Sequence, residues 1–293
     1  MPPSMTILLT GASSGIGRDT ALALARAGHH VIAAARRLPA LEALRAEAGG
    51  NVTPLVLDLD DATSIAGAAL QIDRITGGRG LDALVNNAGF ATAGALAELS
   101  DRDLRAQFET NVFGLMALTR AVLPAMLARG AGRIVNVSSV SGRIPAPILG
   151  AYHASKYALE ALSDALRMEV APLGIQVVIV EPGTIRTEFA TRTRDEATRA
   201  RSEGSRYAAI YERSNELEAR FGKMAGGTAP VVRAIERALT ARRPSARYVA
   251  PRKFAVMIAL VRLLPTCWVD AAMRRIFGLT RARLAAGPAT TSR

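Results

Sequence analysis

Seven short apolar segments recur along the chain, and longer segments with a helical pattern separate them. Strands that alternate with helices predict an α/β fold in which right-handed crossovers wind a parallel sheet on both faces. The predicted strands are residues 6–10, 31–35, 52–57, 81–85, 132–138, 175–180 and 246–250, and the predicted helices are residues 19–28, 38–48, 61–75, 101–128, 152–171 and 228–241.

The pattern predicts one catalytic α/β domain over residues 1–251, since no internal repeat or linker divides it. Residues 188–227 break the alternation. They are rich in Arg, Glu and Ala and predict one or two helices that form a lid over the site. Residues 252–285 are predicted to form a helical extension, and residues 286–293 a disordered tail.

An apolar run opens this extension, from Phe254 to Leu264, and Pro265 ends it. Eleven helical residues span about 16 Å, short of a bilayer core near 30 Å, so the run should not cross a membrane. A second amphipathic helix follows. We expect both helices to pack on the protein's own body or on a partner subunit, and contact with a lipid surface is the less favoured alternative.

Composition narrows the class of protein. The chain has 293 residues, 49% hydrophobic and 4% aromatic, which suits one large core. Cys267 is the only cysteine and the three histidines lack metal-ligand spacing. We therefore expect no metal site and a reducing, cytoplasmic location. The N-terminal residues have no basic segment followed by a long apolar run, so no secretory signal is expected. The net charge is +12, but the arginines are spread along the chain, so nucleic acid is not an expected partner.

A glycine-rich turn joins the first strand to the first helix and reads Thr10-Gly11-x-x-x-Gly15-x-Gly17. Glycines let the backbone approach a pyrophosphate. The N-terminus of the following helix offers free N–H groups and the positive end of its dipole. A tight structural turn is the alternative, but the order strand, turn, helix favours phosphate binding.

Two arginines, Arg36 and Arg37, follow the second predicted strand, which ends at Ala35. In a dinucleotide site this point meets the adenosine ribose, and an acidic residue there would hold a 2′-hydroxyl. A guanidinium suits a 2′-phosphate instead, so the pair favours NADP over NAD. A solvated arginine pair at a helix start is the alternative.

Tyr152 and Lys156 are four residues apart, so on a helix both side chains lie on one face. A cation about 4 Å from a phenol favours the phenolate by roughly 4 kcal/mol at an effective dielectric near 20. That is enough to bring the Tyr152 pKa towards neutral pH, where the phenol can exchange a proton during catalysis. A Tyr and a Lys four residues apart also occur by chance on solvated helices. The motifs around them therefore decide whether the pair is catalytic.

Taken in order, the motifs resemble the short-chain dehydrogenase/reductase family over about residues 5–251. Each motif is weak alone, whereas the whole series at family spacing is specific. The resemblance implies a Rossmann-like, doubly wound parallel sheet of seven strands in the order 3-2-1-4-5-6-7. The matching residues are Thr10, Gly11, Gly15, Gly17, Asp58, Asn86, Asn87, Ala88, Gly89, Asn111, Ser139, Tyr152, Lys156, Pro182 and Gly183.

The resemblance assigns catalysis to four residues. Tyr152 would be the general acid/base, and Lys156 would lower its pKa and hold the nicotinamide ribose. Ser139 would hold the substrate oxygen, and Asn111 would position a water in a proton relay through Lys156. The implied cofactor contacts are Gly11, Ser13, Ser14, Gly15, Ile16, Gly17, Arg36, Arg37, Asp58, Leu59, Asn87, Ala88, Gly89, Tyr152, Lys156, Pro182, Gly183, Ile185 and Thr187.

The expected function is an NADP(H)-dependent oxidoreductase that interconverts a secondary alcohol and a ketone or aldehyde, in a homo-oligomer, either dimer or tetramer. One alternative is a non-catalytic NADP(H)-binding sensor or scaffold, which the intact Ser139, Tyr152 and Lys156 set disfavours. Another is a protein associated with a membrane surface. Apolar residues near the expected pocket suggest a steroid, a retinoid or a long-chain ketone; they are Phe90, Ile144, Pro145, Pro147, Ile148, Leu149 and Phe189.

Overall fold

The computed structural model describes residues 4–186 and 205–285. Within these residues seven parallel strands form one sheet in the order β3-β2-β1-β4-β5-β6-β7, which confirms the predicted fold and strand order. The strands are β1 Thr6–Thr10, β2 His30–Ala35, β3 Val52–Val56, β4 Ala83–Asn86, β5 Gly132–Val137, β6 Ile175–Pro182 and β7 Arg247–Ala250.

Helices cover both faces of this sheet. Short 3₁₀ turns at Val140–Gly142 and Ala171–Leu173 flank the longest of them, which carries Tyr152 and Lys156. The α-helices are α1 Gly15–Arg26, α2 Leu38–Glu47, α3 Ala62–Thr76, α4 Asp101–Phe108, α5 Leu115–Arg129, α6 Gly150–Val170, α7 Ala208–Met224, α8 Ala229–Thr240, α9 Lys253–Leu263, α10 Thr266–Phe277 and α11 Arg281–Ala285.

Two apolar clusters hold the helices to the sheet. Because successive strand residues point to opposite faces, Ile7 and Leu9 of β1 join one cluster and Leu8 joins the other. The first cluster also contains Leu24 of α1, together with side chains of α2 and α8. The second contains Leu118 of α5, together with side chains of α3 and α6. Packing on both faces therefore holds the carboxyl ends of the parallel strands together at the same edge of the sheet.

The helix predicted over residues 101–128 is continuous but is not α-helical throughout. A π-helical turn, Glu109–Gly114, separates α4 from α5 and contains Asn111. The predicted helix is therefore interrupted at Asn111, which the sequence pattern did not indicate. A π turn holds one extra residue, and such turns are frequent at functional sites.

By length and composition alone, the 29-residue helix from Asp101 to Arg129 is apolar enough to cross a membrane. Leu118, Val122 and Met126 nevertheless pack in the cluster beneath the sheet. Core packing accounts for the apolar character of this helix.

A third apolar cluster lies above the carboxyl edge of the sheet. It joins Ala95, Ile148 and Tyr211, and Phe277 packs against it. The Tyr211 hydroxyl accepts a hydrogen bond from the Ala95 N–H at 2.9 Å, which ties α7 to the segment after β4. Residues 188–204 of the predicted lid and the predicted tail 286–293 lie outside the described residues, so both assignments stay predictions.

Candidate active site

The glycine-rich turn lies between the end of β1 and the start of α1. Gly11 and Gly15 have φ values of +67° and +53°, in the left-handed region that favours glycine. Ser14 precedes α1, and its side chain forms no capping hydrogen bond within the described part of the chain. The first N–H groups of α1 thus keep their capacity to bind an anion.

Close packing explains the last glycine of the motif. A Cβ on Gly17 would lie 2.2 Å from the carbonyl oxygen of Gly11, so only glycine fits there. Asn87, just after β4, donates from Nδ2 to the Thr10 carbonyl at 3.0 Å. The Thr10 hydroxyl in turn accepts from the Ala88 N–H at 3.0 Å. The two strand ends are therefore joined directly at the turn.

The predicted ribose end of the site follows β2. Arg36 and Arg37 are both exposed, and both line the same cavity as the glycine turn. Asp58, two residues after β3, lines it as well, and its Oδ1 accepts from the Asp60 N–H at 3.1 Å. A cation pair and a fixed carboxylate thus lie beside the space that an adenosine would occupy.

The catalytic set lies where β5, β6 and α6 meet. Ser139 follows β5, while Tyr152 and Lys156 lie one turn apart on α6. The Lys156 Nζ donates to the Val137 carbonyl at 3.0 Å and lies 5.9 Å from the centroid of the Tyr152 ring. The Ser139 Oγ accepts from the Ser141 N–H at 3.1 Å. Tyr152, Lys156 and Ser139 are all buried, with 8%, 5% and 8% of their surface exposed.

Burial shifts the pKa values of Tyr152 and Lys156. It raises the pKa of Tyr152 to about 12, while a hydrogen bond with Ser139 acts in the lowering direction. Burial lowers the pKa of Lys156 to about 8, and the charge of Glu160 acts in the raising direction. Burial penalises both charged forms and is the largest influence on both groups. The expected lowering of the Tyr152 pKa by Lys156 stays a prediction. Tyr152 keeps its proton at neutral pH.

Asn111 belongs to the wall behind the catalytic set. Its Nδ2 donates to the Phe90 carbonyl at 3.0 Å and to the Ser155 Oγ at 3.1 Å. Its Oδ1 accepts from the Phe90 N–H at 3.1 Å. Asn111 is not among the described residues that line the cavity, so its role in holding a relay water stays a prediction.

One cavity of about 840 Å³ joins the glycine turn, the arginine pair and the catalytic set. This volume suits a bound ligand, and the donors along it fit a dinucleotide with phosphates at the α1 N-terminus. Ser139, Tyr152 and Lys156 line it, as does every predicted cofactor residue except Thr187, which lies outside the described residues. Within residues 4–186 and 205–285, no group of three His, Cys, Asp or Glu side chains could hold a metal ion.

The substrate side of the cavity differs in part from the expected pocket. Phe90, Ile148 and Leu149 line it as expected, and Phe189 lies outside the described residues. Ile144, Pro145 and Pro147 are not among the described lining residues, although Ser141 and Ile148, on either side of them in the chain, do line the cavity. Sequence reasoning missed three residues from distant helices, because no motif marks them; they are Ser214, Leu217 and Phe277.

Ile148 holds an unusual backbone conformation beside the cavity. Its φ is +70°, which is rare for a β-branched residue. Its carbonyl accepts from the Gly94 N–H at 2.7 Å, and only 4% of its surface is exposed. The packed segment after β4 therefore holds a strained residue against the site, a common property of functional positions.

Sequence reasoning also missed a buried ion network beneath the catalytic set. Glu181 of β6 is 1% exposed; its Oε1 lies 2.8 Å from Arg143 Nη1 and 3.3 Å from Arg247 Nε. The Arg247 Nε also lies 3.0 Å from Glu160 on α6. The spacing of Glu160 one turn after Lys156 was the available signal. The network joins α6, β6 and β7.

Comparison with known proteins agrees with this geometry. The family model described as short chain dehydrogenase matches residues 5–198. A protein of Escherichia coli strain K12 named uncharacterized oxidoreductase YbbO is 40% identical over 261 residues, covering 89% of this chain and 90% of that protein. The NADPH-dependent 3-dehydrocapnine reductase of Ornithobacterium rhinotracheale is 30% identical over 267 residues, covering 90% of this chain and 94% of that protein.

A solved structure shares both the fold and a substantial part of the sequence. It is a short-chain dehydrogenase from Streptomyces avermitilis, with a TM-score of 0.76 and 36% identity, covering 95% of this chain and 97% of that one. The family match, the full-length relatives and the seven-stranded sheet agree with one another. The chain therefore belongs to the short-chain dehydrogenase/reductase family and is an oxidoreductase.

Proposed function

We propose that this protein interconverts a secondary alcohol and a ketone or aldehyde with NADP(H), and that its substrate is apolar. One observation carries the proposal: a single cavity brings the phosphate-binding turn, the arginine pair and the Ser139, Tyr152 and Lys156 set together. A sensor or scaffold would need the first two of these features but not the third.

The protonation of the set suits carbonyl reduction. When bound, the nicotinamide supplies or accepts the hydride. Tyr152 holds its proton at neutral pH, because burial raises its pKa to about 12. It can therefore donate that proton to a carbonyl oxygen as charge develops there, and the Ser139 hydroxyl can donate a second hydrogen bond to the same oxygen. In the reverse direction Tyr152 would act as the base.

Arg36 supports the choice of NADP(H). It is exposed at the cavity wall directly after β2, and the preceding residue is Ala35, where a carboxylate would repel a 2′-phosphate. The relative from Ornithobacterium rhinotracheale is named as NADPH-dependent, which is consistent with this choice. Replacing Ala35 with Asp and Arg36 with Gln should shift the preference towards NADH.

The cavity lining supports an apolar substrate. Side chains from four separate segments contribute apolar surface beyond the catalytic set, and together they enclose space for a ring system or an alkyl chain. The name of the 3-dehydrocapnine reductase relative refers to reduction of a 3-dehydro compound. We propose a long-chain or ring-bearing carbonyl compound of the steroid, retinoid or long-chain-ketone type. The apolar lining residues on this side are Phe90, Ile148, Leu149, Leu217 and Phe277.

The decisive experiment follows the loss of NADPH and of NADH absorbance with a panel of steroid, retinoid, long-chain and short polar carbonyl compounds. We expect turnover with apolar carbonyls and a higher kcat/KM with NADPH than with NADH. Tyr152→Phe is the matched control for background oxidation. Equal kcat/KM with both cofactors would refute the NADP(H) preference, and turnover restricted to short polar carbonyls would refute the substrate class.

We also propose that the enzyme is a homo-oligomer, either a dimer or a tetramer. We further propose that it is located in the cytoplasm. Cys267 is a free, exposed thiol, which suits a reducing compartment. Light scattering after size-exclusion chromatography measures the oligomeric mass, and a monomer at micromolar concentration would contradict the first proposal.

A further inference from the structure

The outward face of α9 is apolar and uncovered. Its exposed apolar residues recur at i, i+1, i+4 and i+7, which places them on one stripe of the helix. Ile258, on the opposite side, is 5% exposed and faces the body of the protein. A helix that is apolar on both sides is normally covered on both sides. The stripe consists of Val256, Met257, Leu260 and Leu263, which are 63%, 39%, 60% and 82% exposed, and Leu264, just after the helix, is 45% exposed.

The next helix, α10, is also uncovered. None of its residues is buried among the described part of the chain. Trp268 is 64% exposed and Ile276 is 41% exposed, and they share one face of the helix with Arg275. Tryptophan beside basic residues is typical of helices that lie in a membrane interface. We call α9 and α10 together the C-terminal pair.

The charge around the pair is strongly positive. Residues 252–285 contain seven basic side chains and one acidic side chain, Asp270, which leaves a net charge of +6. Juxtamembrane basic residues each add about 1 kcal/mol of attraction to an anionic lipid surface. The basic residues are Arg252, Lys253, Arg262, Arg274, Arg275, Arg281 and Arg283.

Helix length excludes a spanning arrangement. The helix α9 has 11 residues and α10 has 12, so each spans about 16–18 Å against a bilayer core near 30 Å. Leu264 and Pro265 separate the two helices. The pair can therefore lie on a bilayer with its apolar stripe at the level of the acyl chains, but it cannot cross one.

A second copy of the chain would cover the C-terminal pair less favourably than an anionic lipid surface would. In a two-fold symmetric contact the same patch lies on both subunits, so the net positive charge of one pair would face that of the other. Like charges placed across an interface cost free energy. An anionic lipid surface supplies both an apolar layer for Leu260, Leu263 and Trp268 and phosphate groups for the arginines.

We propose that the C-terminal pair docks this protein on an anionic lipid surface. The pair also reaches the site: Phe277, at the end of α10, lines the cavity, and Phe254 of α9 packs on Gly183. If the proposed apolar substrate is correct, the docked pair places the cavity beside the bilayer in which that substrate dissolves. Docking itself does not depend on the proposed reaction.

The test is co-sedimentation of the full chain with vesicles of phosphatidylcholine alone and with added phosphatidylglycerol. We expect the protein to pellet with the anionic vesicles, and less so at high salt because salt screens the arginines. Leu260→Asp with Leu263→Asp should reduce pelleting to background. Arg274→Gln with Arg275→Gln should lower the partition coefficient about tenfold or more.

Matched controls separate docking from general effects. Leu70→Asp with Leu173→Asp alters two exposed leucines elsewhere, and Arg242→Gln with Arg243→Gln removes an exposed arginine pair elsewhere. Both should pellet like wild type, and thermal unfolding confirms that every variant folds. Wild type that stays in the supernatant with anionic vesicles would overturn the proposal. So would a dimer that only the Leu260 and Leu263 changes dissociate, since a second copy would then cover the pair.

Discussion

Replacing Lys156 with Met should remove a pH-dependent loss of stability and abolish turnover. Lys156 is 5% exposed, and its ammonium donates to the Val137 carbonyl at 3.0 Å. Burial lowers its pKa from an ordinary 10.5 to about 8, so the folded protein binds this proton more weakly than the unfolded chain does. Methionine fills a similar volume without a charge.

The size of the effect follows from this pKa. The fall from 10.5 to about 8 corresponds to about 3 kcal/mol of folding free energy lost at pH 7. Between pH 8 and pH 10.5 the unfolded chain binds more protons, so wild-type stability rises with pH through that window. At pH 10 the lowered Lys156 pKa still reduces the free energy of unfolding of the wild type by about 1 kcal/mol. The stability difference between variant and wild type should therefore narrow by roughly 2 kcal/mol between pH 7 and pH 10.

Urea unfolding of both proteins at the two pH values measures this difference. Tyr152 is present in both proteins, so its own titration should largely cancel. Lys253→Met, which removes an exposed lysine from α9, is the control and should show no such narrowing. A stability difference that is constant from pH 7 to pH 10 would show that burial does not lower the Lys156 pKa, and the reasoning would fail.

Three further predictions concern single residues. Tyr152→Phe should lower turnover by about 10²–10⁴-fold, the usual contribution of a general acid, while fluorescence titration shows nearly unchanged NADPH binding. Glu160→Gln removes a charge that raises the Lys156 pKa, so any fall in kcat/KM as pH rises through the Lys156 pKa should move to lower pH. Gly174→Ala should cost more than about 2 kcal/mol in urea unfolding, because φ is +84° and the new Cβ would lie 2.0 Å from the Gly130 carbonyl oxygen.

Each of these predictions has a control or a contradicting result. A Phe variant at position 152 with a tenth of wild-type turnover would exclude Tyr152 as the acid. Asp164→Asn removes another carboxylate of the Arg247 network and should move the pH profile less than Glu160→Gln does. Gly49 also has a positive φ, +69°, but no atom lies within 4 Å of the Cβ that an alanine would add. Gly49→Ala should therefore lower the free energy of unfolding by only about 1 kcal/mol. If Gly174→Ala and Gly49→Ala lowered the free energy of unfolding equally, the steric argument would be contradicted.

The strands and the phosphate turn were predictable because their signals are local. Five-residue apolar runs mark strands such as Thr6–Thr10, and Gly11, Gly15 and Gly17 stand at fixed spacing after the first of them. Tyr152 and Lys156 were predictable because one helical turn sets their separation. None of these inferences needs knowledge of how distant segments pack.

Features that depend on distant packing were not predictable. The pKa order of Tyr152 and Lys156 reflects how completely the surrounding segments exclude water, which the four-residue spacing does not reveal. The pairing of Glu181 with Arg143 and Arg247 joins three elements that are far apart in the chain. Phe277 reaches the cavity only because the third apolar cluster folds the C-terminus back over the site.

The π-helical turn at Glu109–Gly114 has a consequence for how one helix serves two surfaces. Before it, Gln107 binds the segment after β4, with its Nε2 2.8 Å from the Phe90 carbonyl. After it, Leu118 packs beneath the sheet. One extra residue rotates the second half by about 100° relative to the first. Deleting a single residue from the turn would restore one continuous register, and either the sheet or the wall of the catalytic centre would lose its matching face.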